Sequence, residues 1–348
     1  MKKTPHIALM GVTGYAGAEL ARLLLHHPRL AGTRPLFLGR EPARLTALHP
    51  QLRDSTGSAS LQIEPFSWEL LQSSGIEVLF LATPHEQSRE WAPQALARGI
   101  RVIDLSGAWR LNDEGNRAVY KFADQDSALA AEVQAKSVYG MPELHREAIR
   151  NAQLIANPGC YATSVILALK PLTSAGLIDL ERGIVCDSKS GVSGAGKAPT
   201  AKTHFMYAAD NLSAYAVFGH RHTGELLEQL GIPSEHIIFT PHLLPIPRGI
   251  LSTIYVSFRQ AQTPESVAKI FGEFYASSPM VRLYAPGELP QIQHSVRTNY
   301  CDIGFQLAQD GRRCVIVSCL DNLLKGAAGQ AVQNLNVSEG WKESEGLE

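Results

Sequence analysis

Residues 6–26 read HIALMGVTGYAGAELARLLLH, and the change of texture within them decides the fold. His6 to Met10 is an apolar run of strand length. Gly11, Gly14 and Gly17 then recur at every third position. From Ala18 to His26, Leu20, Leu23 and Leu24 return on one side with helical spacing. Strand, glycine turn and helix open a dinucleotide-binding unit. Such a turn needs glycines because the backbone must bend tightly and come close to a pyrophosphate. The phosphates then meet the N–H groups and the positive dipole end of the helix. The spacing is shifted from the commoner GxGxxG, and glycines alone also mark ordinary turns. The flanking strand and helix therefore carry the reading.

Outward from that turn, Pro35 to Gly39, Glu77 to Ala82 and Arg101 to Leu105 are strand candidates, with a helix-like Gln87 to Arg98 between the last two. Strands alternating with helices predict an α/β domain with a doubly wound parallel sheet of Rossmann type. Leu154 to Ala156 is one more short strand, leading into Asn157-Pro158-Gly159-Cys160. Beyond Cys160 the texture changes. Thr163 to Leu172 reads as a buried helix, and Gly183 to Asp187, Leu251 to Phe258 and Cys314 to Leu320 are longer β-like runs. They predict a second, α+β domain built on a mixed sheet. The expected division is 1–156 for the cofactor and 157–321 for catalysis, substrate and oligomerisation, with a helix in 322–340 returning to the first domain. The tail after Asn336 is polar and is expected to fray.

Composition excludes several classes. The chain has 348 residues, 45% apolar and 19% charged, which is too much core material for a disordered chain. Lys and Arg number 32 against 33 Asp and Glu, a balance that offers nucleic acid no basic excess. No stretch reaches the ~18 apolar residues that span a bilayer. Cysteines stand at 160, 186, 301, 314 and 319, odd in number and without a CxxC pair. A disulfide framework and a zinc ribbon are disfavoured, and a reducing cytoplasm is the expected setting. Lys2 and Lys3 ahead of an apolar stretch imitate a secretory leader, but Gly11, Thr13 and Gly14 interrupt it.

Cys160 follows Asn-Pro-Gly and opens a helix, where a thiolate is stabilised and becomes nucleophilic. Cys186, Cys314 and Cys319 lie in apolar strands and read as buried structural thiols; Cys301 is open. Gly219-His220-Arg221-His222-Thr223-Gly224-Glu225 gathers two imidazoles, a guanidinium and a carboxylate. A thiolate nucleophile needs such a proton carrier. Glu225, in a first helical turn, is placed to orient an imidazole or a ligand. The cluster has no zinc-binding spacing, and no metal is expected. Gly191-Val-Ser193-Gly-Ala-Gly196-Lys197 imitates a P-loop, but Ala198 stands where the magnesium hydroxyl belongs. Ser193 and Lys197 remain candidates for a phosphate or oxyanion. Arg40, after the second strand, suits the 2′-phosphate of NADP, while Glu41 keeps NAD open. Arg110, beyond a parallel strand end, is a candidate clamp for a substrate carboxylate, and Arg248 is a second cation.

The segments GVTGYAG, YGMPEL, NPGCYATS, SGVSGAGK, GHRHTGE, PHLLPIPRGIL and DNLLKGAAGQAVQNLN resemble, in order and from about Gly11 to Asn336, those of the N-acetyl-γ-glutamyl-phosphate reductase family of arginine biosynthesis. The resemblance implies a Rossmann domain binding NADP(H) and a second α+β domain of semialdehyde-dehydrogenase type. It implies Cys160 as nucleophile and His220 as acid–base residue, with Glu225 in support. It places Thr13, Tyr15 and Ala16 with Gly11, Gly14 and Gly17 on the dinucleotide loop and Asn322 near the nicotinamide. Arg40, Ser106 and Gly191 complete the expected cofactor set. Arg110, Ser193, Lys197, His222 and Arg248 form the expected substrate set. The implied partners are a small acyl-phosphate substrate, phosphate and further copies of the chain as a dimer or tetramer, with no nucleic acid or membrane. The sequence departs from the family's DLSADFRL, reading Asp104-Leu-Ser106-Gly-Ala108-Trp-Arg110-Leu, and Gly39 stands where Ser or Thr commonly precedes the arginine. Aspartate-semialdehyde dehydrogenase and the carrier-protein-linked aminoadipyl-phosphate reductase share this chemistry. An NADP-binding redox sensor using Cys160 is the non-enzymatic alternative.

Overall fold

The structure is a computed structural model that describes residues 4–53 and 61–348; Lys2 and Lys3 lie outside the described residues. The chain divides into two compact units, Met1–Arg110 with Phe122–Asn157 and Ala328–Glu348, and Leu111–Lys121 with Pro158–Ala327. The short segment 111–121 joins the second unit for a visible reason. The Asn112 and Asp113 N–H groups and the Asn116 amide donate to the Glu228 carboxylate at 2.8, 3.1 and 3.2 Å.

The first unit is built on β1 (Ile7–Met10), β2 (Leu36–Gly39), β3 (Ala43–Arg44), β4 (Gln62–Pro65), β5 (Val78–Leu81), β6 (Arg101–Asp104), β7 (Ser137–Tyr139) and β8 (Leu154–Ala156). They lie in the order β3-β4-β2-β1-β5-β6-β8-β7 and are parallel except for the β3–β4 pair. β1 is flanked by β2 and β5, with Met10 opposite both Leu38 and Leu81. The chain leaves β1 toward one side and returns on the other, so the crevice at the carboxyl ends opens beside the glycine turn. β1 and β5 are buried throughout and correspondingly apolar. The helix Tyr15–His26 starts at the turn itself, three residues before the reading from leucine periodicity.

The helix Gly329–Glu339 packs on the first unit beside the helices Tyr15–His26 and Pro142–Asn151. The polar tail beyond it does not fray. Asn336 Nδ2 donates to the carbonyls of Glu343 and Glu345 at 3.1 and 2.9 Å, Trp341 packs against His27 in a tilted arrangement with ring centroids 5.3 Å apart, and Leu347 is buried. Side-chain-to-backbone bonds hold a segment that hydropathy alone leaves loose.

The second unit is built on β9 (Ile184–Gly191), β10 (Ser213–Ala214), β11 (Ile237–Leu244), β12 (Ile250–Ser257), β13 (Val281–Leu283), β14 (Cys301–Leu307) and β15 (Arg313–Leu320). Their order is β10-β11-β9-β12-β15-β14-β13, with β9–β11 and β13–β14 parallel and the other pairs antiparallel. β9 runs past Asp187, where the apolar reading stops, because Cys186, Ser188 and Ser190 keep turning inward. The helix Cys160–Ser174 covers that inner face. Beneath it, Ser164 Oγ donates to Ser252 Oγ (2.9 Å), and Ser188 Oγ lies 2.7 Å from Ser252 Oγ. The inward serines are thus satisfied by one another, which lets polar residues occupy a core strand. Among the described residues no helix is long and apolar enough to cross a membrane.

Candidate active site

Cys160 is the first residue of its helix, and Gly159 is the N-cap, with no side-chain cap over the helix N–H groups. The thiol is partly exposed, whereas Cys186, Cys301, Cys314 and Cys319 are buried. Burial pushes the Cys186 and Cys319 thiols up and the Cys314 thiol to about 12. These four are structural, and none is an exposed resolving partner for Cys160. Space for the nucleophile comes from Gly326, where a Cβ would sit 2.7 Å from Cys160 Cβ. That glycine lies in the DNLLKGAAGQ segment, and the close approach is the reason a side chain is excluded there.

Glu225 is fully buried, and its Oε2 accepts the Gly159 N–H at 2.9 Å. Its Oε1 lies 4.0 Å from His222 Nε2. The His222 ring rests on Gly159, where a Cβ would come within 2.6 Å of its Cδ2. Glu225, His222, Gly159 and Cys160 thus form one contiguous group. His220 sits beside it among Tyr161, Tyr215 and Phe239, with ring centroids at 5.5, 5.6 and 5.4 Å. Burial, helped by the neighbouring Arg221 charge, lowers the His220 pKa to about 4. Its Nδ1 accepts the His222 N–H at 3.1 Å, so a neutral ring carries its proton on Nε2. Burial also pushes the Tyr161 phenol up and that of Tyr215 to about 12, which keeps both protonated. Tyr161 spends its proton on the His242 carbonyl at 2.7 Å.

Cys160, His220 and His222 line one cavity of about 300 Å³ in the second unit. Its remaining polar lining is Tyr161, Ser190, Thr200, Lys202, Thr203, Ser213, Tyr215 and Arg221, of which the sequence reading named only Arg221, without assigning it a role. Arg221 stands between the two histidines and Tyr161 beside the cysteine, so both signals were present. Lys202 and Thr203 are brought in only by the tertiary fold. The expected substrate residues Ser193, Lys197 and Arg248 do not line this cavity, although Gly194 and Ala195 do. Arg248 is paired with the buried Asp321 at 3.1 Å. Asn322 donates to Ser193 Oγ at 2.9 Å and accepts the Gly249 N–H at 2.8 Å, clasping two loops. Gly191 leaves room for the backbone of Arg248, whose nitrogen would lie 2.7 Å from an added Cβ.

In the first unit a cavity of about 580 Å³ is lined by Gly11, Thr13, Gly14, Gly39, Arg40, Glu41 and Thr83, among others. The residues fit a dinucleotide. Gly11 has φ +93°, and a Cβ there would overlap the Ala82 carbonyl; one at Gly17 would overlap the Gly11 carbonyl. Gly14 caps the helix Tyr15–His26 without a side-chain bond, which leaves its N–H groups to a phosphate. Thr83 Oγ1 is buried there without a hydrogen-bond partner. Tyr15 is exposed and Ala16 half-exposed on the turn. At Gly39 a side chain would meet Ile63 Cγ2 at 2.7 Å, which explains the missing Ser or Thr. Ser106 donates to Asp104 Oδ2 at 2.7 Å and accepts the Ala108 N–H at 3.1 Å, closing a turn. Arg110 donates from Nε to the Asn157 carbonyl (2.7 Å) and from Nη2 to that of Leu105 (2.9 Å). Among the described residues no group of three His, Cys, Asp or Glu is arranged to hold a metal ion.

Residues 6–152 match the family model described as semialdehyde dehydrogenase, NAD binding domain, and residues 160–322 match semialdehyde dehydrogenase, dimerisation domain. The chain is 42% identical to the N-acetyl-gamma-glutamyl-phosphate reductase of Symbiobacterium thermophilum, covering 99% of this chain and 97% of the relative. It is 43% identical to the protein of the same name from Desulfotalea psychrophila, with 98% and 97% covered. Among solved structures, aspartate semialdehyde dehydrogenase II from Vibrio cholerae complexed with ASA aligns with a TM-score of 0.71 at 20% identity, covering 97% of this chain and 98% of that one. That likeness concerns the fold.

Proposed function

The chain belongs to the N-acetyl-γ-glutamyl-phosphate reductase family of semialdehyde dehydrogenases, and we propose that it carries out the reductive dephosphorylation of N-acetyl-γ-glutamyl phosphate to N-acetylglutamate semialdehyde in arginine biosynthesis. The observation that carries this reading is the single cavity lined by Cys160, His220 and His222, with Glu225 bonded to the residue ahead of the thiol.

The Cys160 thiolate attacks the γ-carbonyl carbon. A carbon–sulfur bond forms, the carbon–oxygen bond to phosphate breaks, and a thioacyl enzyme remains. When bound, NADPH supplies the hydride that reduces this thioester. Collapse of the thiohemiacetal releases the aldehyde and restores the thiolate. His222 lies against the cysteine's own turn, with the Glu225 carboxylate as countercharge. We assign it the proton taken from the thiol and returned later. His220, neutral and protonated on Nε2, donates a hydrogen bond to the developing oxyanion. This moves the acid–base role one histidine along from the reading of the sequence. The substrate carboxylate, given to Arg110 on sequence grounds, passes to Arg221 and Lys202, which line the same cavity as the thiol. The residues of the first cavity hold NADP(H), with Arg40 at the ribose 2′-phosphate. The second domain supports a homo-oligomer, and the five free thiols suit a reducing cytoplasm.

The test runs the reaction in reverse, with N-acetylglutamate semialdehyde, phosphate and NADP⁺, following NADPH absorbance. Phosphate-dependent turnover is expected with the acetylated aldehyde and not with aspartate semialdehyde. The opposite preference keeps the chemistry and overturns the substrate; turnover with neither overturns the reading.

A further inference from the structure

His49 is buried, and its ring Nε2 lies 2.9 Å from the carbonyl oxygen of Val12, the residue between Gly11 and Thr13 of the glycine turn. A carbonyl oxygen only accepts, so the imidazole carries its proton on Nε2 and donates. The bond joins residues 37 apart in the chain and lies wholly within the first unit.

Both partners are held. The Val12 side chain is fully buried, and the neighbouring Gly11 carbonyl accepts the Gly14 N–H at 3.2 Å. His49 ends the short helix Leu45–Leu48, where its own N–H donates to the Leu45 carbonyl at 2.8 Å. Its carbonyl accepts the Leu52 N–H at 3.0 Å, and the Leu45 and Leu52 side chains are buried. The stretch that carries His49 begins at the cofactor cavity, which Arg40, Glu41 and Ala43 line together with Gly11, Thr13 and Gly14. Neither Val12 nor His49 is among the lining residues. The Val12–Thr13 peptide is flanked by Gly11 and Gly14, whose missing side chains offer little resistance to its rotation. A trans peptide carries its C=O and N–H on opposite sides. A half rotation would therefore exchange the two and turn the negative end of the peptide dipole to the other side.

We propose that His49 is a positioning residue for the dinucleotide: its hydrogen bond locks the Val12–Thr13 peptide in the orientation that keeps the Val12 carbonyl off the pyrophosphate. The inference rests on the reading of this cavity as the NADP(H) site and deepens it. His49 acts through Val12 and not by contact with the cofactor. The lock serves the phosphates that NADP and NAD share, so its effect is separable from that of Arg40 at the 2′-phosphate.

His49→Leu removes the donor at similar volume. His49→Gln offers an amide N–H near the place of Nε2, and His49→Asn, one methylene shorter, does not reach. The Kd of NADP⁺ and of NAD⁺ is titrated for each protein, with melting of the unliganded chain and iodoacetamide alkylation of Cys160 as controls of folding. His49→Leu and His49→Asn are expected to weaken both nucleotides by the same factor, about tenfold, the worth of one buried hydrogen bond. His49→Gln should stay within about threefold of wild type. In the reverse reaction kcat at saturating NADP⁺ should hold while KM for NADP⁺ rises with Kd. A folded His49→Leu with wild-type affinity overturns the lock. A loss confined to NADP⁺ gives His49 to the 2′-phosphate and overturns it too. A glutamine as weak as the asparagine shows that the ring acts by packing rather than by its proton, which also overturns it. If the leucine variant fails to fold, the Gln and Asn pair decides the same question. A wild type that binds neither nucleotide overturns the cofactor reading and the lock with it, whereas a binding wild type with indifferent variants overturns the lock alone.

Discussion

Glu225→Gln isolates the charge behind His222. Glutamine keeps the volume and an oxygen that accepts the Gly159 N–H, 2.9 Å away in the wild type. It removes the negative charge 4.0 Å from His222 Nε2. A unit charge pair at that distance is worth about 4 kcal/mol at an effective dielectric of ~20, which caps the rate effect near 10³. The cavity is open to water, so screening reduces this, and kcat should fall by about 10- to 300-fold. KM should stay within roughly threefold, since the lost interaction grows as the imidazolium forms. The Gly159 bond changes from a charged to a neutral acceptor at a cost of about 1 kcal/mol, so the melting temperature should drop only a few degrees. The assay is the reverse reaction at saturating aldehyde and phosphate, beside a thermal melt. A folded variant whose kcat stays within twofold of wild type refutes the role of Glu225 as countercharge. Constant kcat with a raised KM makes Glu225 a binding residue.

Cys160→Ser should abolish turnover and retain NADP⁺ affinity by titration; measurable steady-state turnover removes the thioester route. Arg40→Ala should weaken NADP⁺ by about 10- to 100-fold and leave NAD⁺ nearly unchanged, since a charge-assisted phosphate contact is lost; equal losses for both nucleotides would sink the 2′-phosphate assignment. His220 has its pKa lowered from 6.5 to about 4 in the folded protein. The unfolded chain therefore binds the proton first, and this histidine withdraws stability as pH falls from about 6.5 toward 4. His220→Gln should lose less melting temperature than wild type between pH 7 and pH 5. An unchanged slope would show that the ring is not buried as described.

The first unit was legible because its signals are local. Met10, Gly11 and the leucines of the next helix lie within a few turns of chain, and period and breaker residues suffice there. Cys160 was legible for the same reason, as a thiol between Pro-Gly and a helix. What escaped depends on distant partners. β11 reads IIFTPHLL, and Pro241 with His242 conceals a strand that its neighbour β9 stabilises by parallel pairing. The polar half of β9 is paired on both sides, by β11 and β12, and its inward Ser188 is met by Ser252. The bond from the Gly159 N–H to Glu225 spans 66 residues. It is this bond that brings His222, rather than His220, against the cysteine's turn, and no local pattern encodes it. Arg110 and Arg248 illustrate the converse. Their residue type suggested anion binding, and tertiary structure gives one to carbonyls and the other to Asp321.

The buried serines under the helix Cys160–Ser174 act as an axial stop. Ser164 Oγ lies 2.9 Å from Ser252 Oγ and 3.1 Å from Ser318 Oγ, donating to one hydroxyl and accepting from the other, four residues along the helix from the thiol. A helix advances about 1.5 Å per residue, so a slide of one residue would strand these hydroxyls and carry the sulfur about 1.5 Å along its axis. The nucleophile's reach is thus set from the second turn of the helix, by hydroxyl groups that never meet the substrate.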